Sequence, residues 1–198
     1  MSDMTSEDVP EASDAPRREL VLERLLRAHE AWFDVSRDYE VAGRTFPGFA
    51  VYSEQGERYV LSRRAKLWEI ASHEYVFFES VASLDEETLA REVAFVKRHG
   101  LAMVDPDEPN HMSSNVSLVL VADHVDEAAR RQARRVRFRK NFALGWKGWC
   151  DLRVAVVDLG APAGREVLTN AAGKVLRPML RANVATPRGD GQGTGVAT

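Results

Sequence analysis

The stretch Phe46–Val81, FPGFAVYSEQGERYVLSRRAKLWEIASHEYVFFESV, decides how the chain is read. Runs of aromatic and β-branched residues (Phe49–Tyr52, Tyr59–Leu61, Leu67–Ile70, Tyr75–Phe78) are separated by short glycine-containing or small polar segments. Such runs are the signature of strands. Connections this short join antiparallel neighbours, because a parallel pair needs a long crossover. The stretch therefore predicts a β-meander with turns at Ser53–Glu57 and Ala71–His73. Alternation puts Tyr75 and Phe77 on one face and Val76 and Phe78 on the other, so the last strand is covered on both faces.

Both flanks predict helices. On the N-terminal side Asp14 is a capping residue and Pro16 fits a first turn. Leu22, Leu25, Leu26, His29, Trp32 and Phe33 then recur on one helical face, with His29 read as a hydrogen-bonded core histidine. Asp34–Gly43 reads as a polar connection. On the C-terminal side Ser83-Leu-Asp-Glu86 has the form of a capping box, Leu89, Val93 and Val96 mark the inner face, and Gly100 marks the stop. Asp105–Ser114, with two prolines, predicts a loop, and the apolar run Val116–Ala122 a buried central strand.

A third helix is expected from Asp123, with Val125, Ala129, Ala133 and Val136 inside and Arg130, Arg131, Arg134, Arg135 and Arg137 outside. Leu152–Asp158 predicts another strand, and Glu166–Leu168 with Lys174–Leu176 a hairpin about Asn170–Gly173. Strand runs without strict β-α alternation predict an α+β fold. We expect a mostly antiparallel sheet with a central β-meander, packed by about three amphipathic helices. Residues 1–15 are expected to be a disordered acidic tail, 16–182 a single α+β domain, and 183–198 a disordered tail.

Hydrophobic residues make up 44% of the 198, enough for one core. No apolar run approaches the ~20 residues that span a bilayer. Met1–Ala15 lacks the basic and apolar regions of a signal peptide. The sequence thus reads as soluble and cytoplasmic, with no membrane partner. Cys150, the single cysteine, cannot form an internal disulfide and reads as a small buried residue. The net charge of −3 is uneven: Asp3, Glu7, Asp8, Glu11 and Asp14 fall in the first 16 residues, leaving a mildly basic body.

Three patterns could carry chemistry. From Arg130 to Lys147 there are eight Lys/Arg and no acid, with Phe138, Phe142 and Trp146 interleaved and Trp149 just beyond. Guanidinium groups hold phosphates and rings stack on bases, so Arg130, Arg134, Arg137, Lys147, Trp146, Trp149 and Arg153 are candidate binding residues for nucleic acid or another polyanion. The competing reading is a solvated helix face. Second, Asp105–His111 crowds oxygen and imidazole groups, with His73 and Glu74 able to approach. It lacks EF-hand or HExxH spacing, so no metal site is assigned, and His73, Asp107 and His111 would be the ligands if one formed. Third, Arg64-Ala-Lys66 lacks the acid that a nuclease (D/E)xK centre requires. No GxGxxG after a strand, Walker loop or GxSxG elbow occurs, and no cofactor is assigned.

Several blocks together resemble a small uncharacterised prokaryotic domain of unknown function. They are Tyr59–Leu67 (YVLSRRAKL), Glu74-Tyr75, His111-Met-Ser113, Gly145–Arg153 (GWKGWCDLR), Val156–Leu159 and Thr169–Lys174 (TNAAGK). The resemblance spans roughly residues 20–180 and implies that Glu74, His111, Trp149 and Arg153 lie in shared motifs. It brings no activity or cofactor. The expected function is a binding module for a polyanion or a protein partner. The alternative is a hydrolytic, metal-dependent enzyme using Glu74 and His111 as catalytic groups. A free edge on the C-terminal hairpin would allow a homodimer.

Overall fold

Tyr75–Phe78 lies in the middle of a strand much longer than the run that predicted it, β3 (Ala71–Leu84). The computed structural model describes residues 16–53, 71–109 and 111–185. Among these, the elements in order are α1 (Arg17–His29), β1 (Asp34–Val41), β2 (Arg44–Ser53), β3, α2 (Glu86–Ala102), β4 (His111–Val125), α3 (Glu127–Arg135), β5 (Arg139–Asn141), β6 (Trp149–Asp158), β7 (Val167–Thr169) and α4 (Arg177–Val184). They form one sheet of order β1-β2-β3-β4-β6-β5, with β7 also on β6. The expected α+β class with a mostly antiparallel sheet is what the fold shows. The two central ladders, β3/β4 and β4/β6, are parallel, because α2 and α3 serve as crossovers.

Alternation along the central strands builds two cores. Phe77, Leu118, Leu120, Val154 and Val156 pack under α2 and α3. Val76, Phe78, Val119, Val121, Ala155 and Val157 pack under α1 and α4. β4 is buried on both faces over Val116–Ala122, as its unbroken apolar run predicted. Helices thus cover the sheet on both sides.

Several boundaries differ from the sequence reading. The meander is β1-β2-β3, and its first strand is Asp34–Val41, read above as a connection. Only Val35, Tyr39 and Val41 of that edge strand are partly buried in the cores, so it has little apolar content to reveal it. Ala71–His73 is strand, not turn. The Tyr59–Leu61 and Leu67–Ile70 strands and the Arg64–Lys66 motif lie outside the described residues, as does Asp14. Trp32 is 75% exposed rather than on the inner face of α1.

Helix α2 is capped by Asp85, whose carboxylate accepts from the Thr88 amide at 2.7 Å, and Ser83 belongs to β3. Gly100 is inside that helix instead of ending it. A Cβ there would lie 2.4 Å from Val116 Cγ1, so glycine lets the helix sit close to β4. α3 starts after Asp126, not Asp123, and His111–Ser114 is strand. β7 does pair with β6, but Ala172–Leu176 is a 3-10 turn leading into α4. The predicted C-terminal hairpin is therefore absent, and β7 stands alone as a three-residue edge strand on β6.

Candidate anion-binding cleft

The C-terminal half of β6 pairs with the short edge strand β7, while α3 and α4 lie on opposite sides of the sheet. A cleft of about 550 Å³ opens at this edge, lined by Glu127, Arg130 and Arg134 from α3, Gly164, Arg165, Val167 and Leu168 at β7, and Arg177 and Arg181 from α4. Five arginines and one glutamate line it. The helices present them by periodicity: Arg130 and Arg134, like Arg177 and Arg181, are four residues apart and share a helical face.

The five arginines are not equivalent. Arg130 pairs with the buried Asp158 carboxylate, and its side chain is only 17% exposed. Asp158 also accepts from the Gly160 amide at 3.1 Å, which fixes it at the end of β6. Arg177 donates through Nε to Thr169 Oγ1 at 2.7 Å, and that hydroxyl comes from β7. No carboxylate among the described residues pairs with Arg134, Arg165 or Arg181. Glu127, the one acid of the cleft, makes only long contacts of 3.7 Å to Arg130 and Arg131.

Asn170 frames this end of the sheet. It is 1% exposed and uses its whole amide. Its Oδ1 accepts from the Val154 and Gly173 amides at 3.1 and 2.7 Å, and its Nδ2 donates to Val136 O and Leu152 O at 3.2 and 2.9 Å. One side chain thereby ties together β6, the turn after β7 and the residue that follows α3. Beyond it, Val136, Arg137, Phe138, Arg139, Asp151 and Asn170–Ala172 line a second depression of about 570 Å³.

Of the residues singled out from the sequence, only Arg130 and Arg134 line the cleft. Arg137 lies in the second depression. Arg139 pairs with Asp151 through two hydrogen bonds of 2.8 and 2.6 Å and stands 5.5 Å from the Trp149 ring. Trp146 is 92% exposed on the Phe142–Gly148 loop, and Lys147 of that loop pairs with Asp107. Arg153 is bound to Glu74 at 2.7 Å. Arg165, Arg177 and Arg181 were missed. Their signal is a basic run (165, 174, 177 and 181, against the single acid Glu166) in a stretch where the sequence predicts a hairpin ending at Leu176 and no helix after it.

The structure does not bring Glu74 and His111 together. His73 and Glu74 are consecutive in β3 and point to opposite faces. Glu74 accepts from Ser117 Oγ at 2.9 Å and pairs with Arg153. On the other face the His73 and His111 rings stack with centroids 6.3 Å apart, and His73 Nε2 meets Glu108 Oε2 at 2.6 Å. His111 Nδ1 donates to Lys147 O, leaving Nε2 to accept from Ser114 Oγ, both at 2.8 Å. Ser114 is 0% exposed, so this Ser-His pair has no opening toward a substrate. Gly148 fits this contact closely: its φ is +77°, and a Cβ would fall 2.3 Å from Met112 O. Asp107 turns away to Lys147, and no group of three or more His, Cys, Asp or Glu among the described residues is placed to hold a metal. Cys150 is 1% exposed, and burial pushes its thiol up to about 11.

The sequence profile of a domain of unknown function, DUF8052, matches residues 17–182. The chain belongs to the DUF8052 family. All the described elements from α1 through β7, and most of α4, lie within the family's span, and so do all the arginines of the cleft. Searches of curated proteins and of solved structures return no match. No helix among the described residues is long and apolar enough to cross a membrane.

Proposed function

We propose that the protein is a polyanion-binding module that takes phosphate-bearing ligands into the arginine cleft. One observation carries this reading: four of the five arginines around the cleft have no carboxylate partner among the described residues. Like charges gathered at one opening repel one another in the free protein, and an anion relieves that repulsion. Guanidinium groups suit phosphate because their planar fork donates two hydrogen bonds to adjacent oxygens. The volume of the cleft is in the range of small-ligand sites, large enough for a few phosphates.

The second depression offers further cationic and aromatic groups. Phe138, Arg137 and Arg139 line it, and Trp149 lies beside Arg139. A single strand anchored by its phosphates in the cleft would meet these groups, with rings available for base stacking.

Fluorescence anisotropy with a labelled single strand of about 12 nucleotides tests the proposal. Inorganic tripolyphosphate serves as an unlabelled competitor. The intact chain should bind the strand at low salt, and the double variant Arg134→Glu/Arg181→Glu should bind at least ~10-fold more weakly. Arg24→Glu on the exposed side of α1 should change affinity by less than ~2-fold. Displacement by tripolyphosphate would assign recognition to phosphate chemistry alone, and failure to displace would assign it to the nucleic acid strand. No binding of either probe, or equal binding by both variants, overturns the reading.

A further inference from the structure

The cleft adjoins the point where the chain enters α1. Arg17, the first residue of that helix, lines a groove of about 520 Å³ with Leu159, Ala161, Glu166, Val184 and others. This groove shares Gly164 and Arg181 with the arginine cleft. Arg17 is held there by a hydrogen bond from its guanidinium to Leu159 O at 3.2 Å. The chain preceding α1 therefore starts at a groove that shares two lining residues with the arginine cleft. That preceding segment, residues 1–15, contains Asp3, Glu7, Asp8, Glu11 and Asp14 and no Lys or Arg.

We infer that the acidic segment 1–15 docks in the arginine cleft of its own chain and competes there with external polyanions. The inference rests on the polyanion reading above for its functional consequence, though not for the docking itself. Three facts support it. The charges are complementary: five carboxylates meet a cleft in which Arg134, Arg165 and Arg181 lack acidic partners among the described residues. The reach is ample, since 15 extended residues can span up to ~50 Å and the cleft shares two lining residues with the groove at Arg17. Tethering makes the encounter intramolecular, at an effective concentration that short linkers raise to about the millimolar range. The chain after α4 does not compete on charge, since residues 186–198 carry only Arg188 and Asp190.

The test keeps the chain at full length and removes only the charge, as D3N/E7Q/D8N/E11Q/D14N. Two readouts are needed, because neutralising five acids would favour an anion at long range even without docking. The first is affinity for the labelled single strand at low salt, expected to rise at least ~5-fold in the neutralised chain. The second is the backbone amide spectrum with no ligand added. Docking predicts shift changes at Gly164, Arg165, Val167, Leu168 and Arg181 on neutralisation. Shift changes confined to residues 1–20 overturn the inference, whatever the affinity does. If the cleft amides move and neither chain binds the strand or tripolyphosphate, the docking stands and the polyanion reading falls. If both chains bind the strand with equal affinity, the competition falls and the polyanion reading stands.

Discussion

Arg44 and Arg134 are both arginines on the body of this protein, and their surroundings are opposite. Arg44, on β2, sits between Glu79 of β3 and Glu92 of α2, both largely buried, and lies over the rings of Phe46 and Phe95 at 4.5 and 5.2 Å. Burial works against its charge, and the two carboxylates outweigh that and raise its pKa. Arg44 answers both acids there, and Arg91 adds a longer contact of 3.8 Å to Glu92. Around Arg134 the proportion is reversed, with five arginines and one glutamate. A matched cluster is internal structure whose removal exposes an uncompensated charge. An unmatched one costs the free protein self-repulsion, so it is better explained by something that binds there.

The comparison breaks most visibly at Arg44. Arg44→Ala would leave Glu92, 3% exposed, without its cation contact of 2.6 Å. Stability should fall by about 3 kcal/mol, read as a lower urea midpoint with unchanged slope. Arg134→Ala, in contrast, should leave stability within about 0.5 kcal/mol of the parent or raise it slightly. Equal losses at the two sites would show that the cleft arginines are structural as well.

Next in size is Asn170→Ala. The variant leaves the Val154 and Gly173 amides without their buried acceptor, at a cost of about 2–3 kcal/mol. Because Asn170 lines the second depression and immediately follows β7, single-strand affinity should fall with stability. A loss of stability with unchanged affinity would separate the binding surface from this frame.

Smaller effects concern titration. His29 donates from Nδ1 to Leu25 O at 2.7 Å and packs against Phe33 and Phe78. Burial lowers its pKa from 6.5. The unfolded chain therefore takes up the proton first as pH falls, so this contribution to stability is complete above about 6.5 and shrinks below it. The urea midpoint of the parent should drop on acidification more than that of His29→Phe; parallel profiles would refute this assignment. Smallest of all, Cys150 should react slowly with a thiol reagent at neutral pH and at the normal rate in urea, since its thiol is pushed up to about 11.

The sequence was legible wherever burial is two-sided or periodic. Val116–Ala122 could hardly be anything but a covered strand, and Leu22, Leu25 and Leu26 mark the inner face of α1. The edge strand β1 was not legible, because one exposed face and one half-covered face look like a polar loop. The helix α4 was masked by Asn170–Gly173, which resembles a hairpin turn and is in fact a buried hydrogen-bonding hub followed by a 3-10 turn. The site was half legible. Arg130 and Arg134 stand out as part of a cluster, but Arg165, Arg177 and Arg181 meet them only because β7 returns along β6. The pairing of Glu74 with His111 failed for the simplest reason of strand geometry, since β3 sends His73 and Glu74 to opposite faces.

The central claim is that the arginine cleft exists to hold phosphates. Its most direct test is the slope of log affinity against log salt for the labelled single strand, on the intact chain and on Arg134→Glu/Arg181→Glu. Contacts to three or four phosphates predict a slope of about −2 to −3 for the intact chain and one shallower by about 1.4 for the variant. A slope near zero, or the same slope in both proteins, would contradict the account.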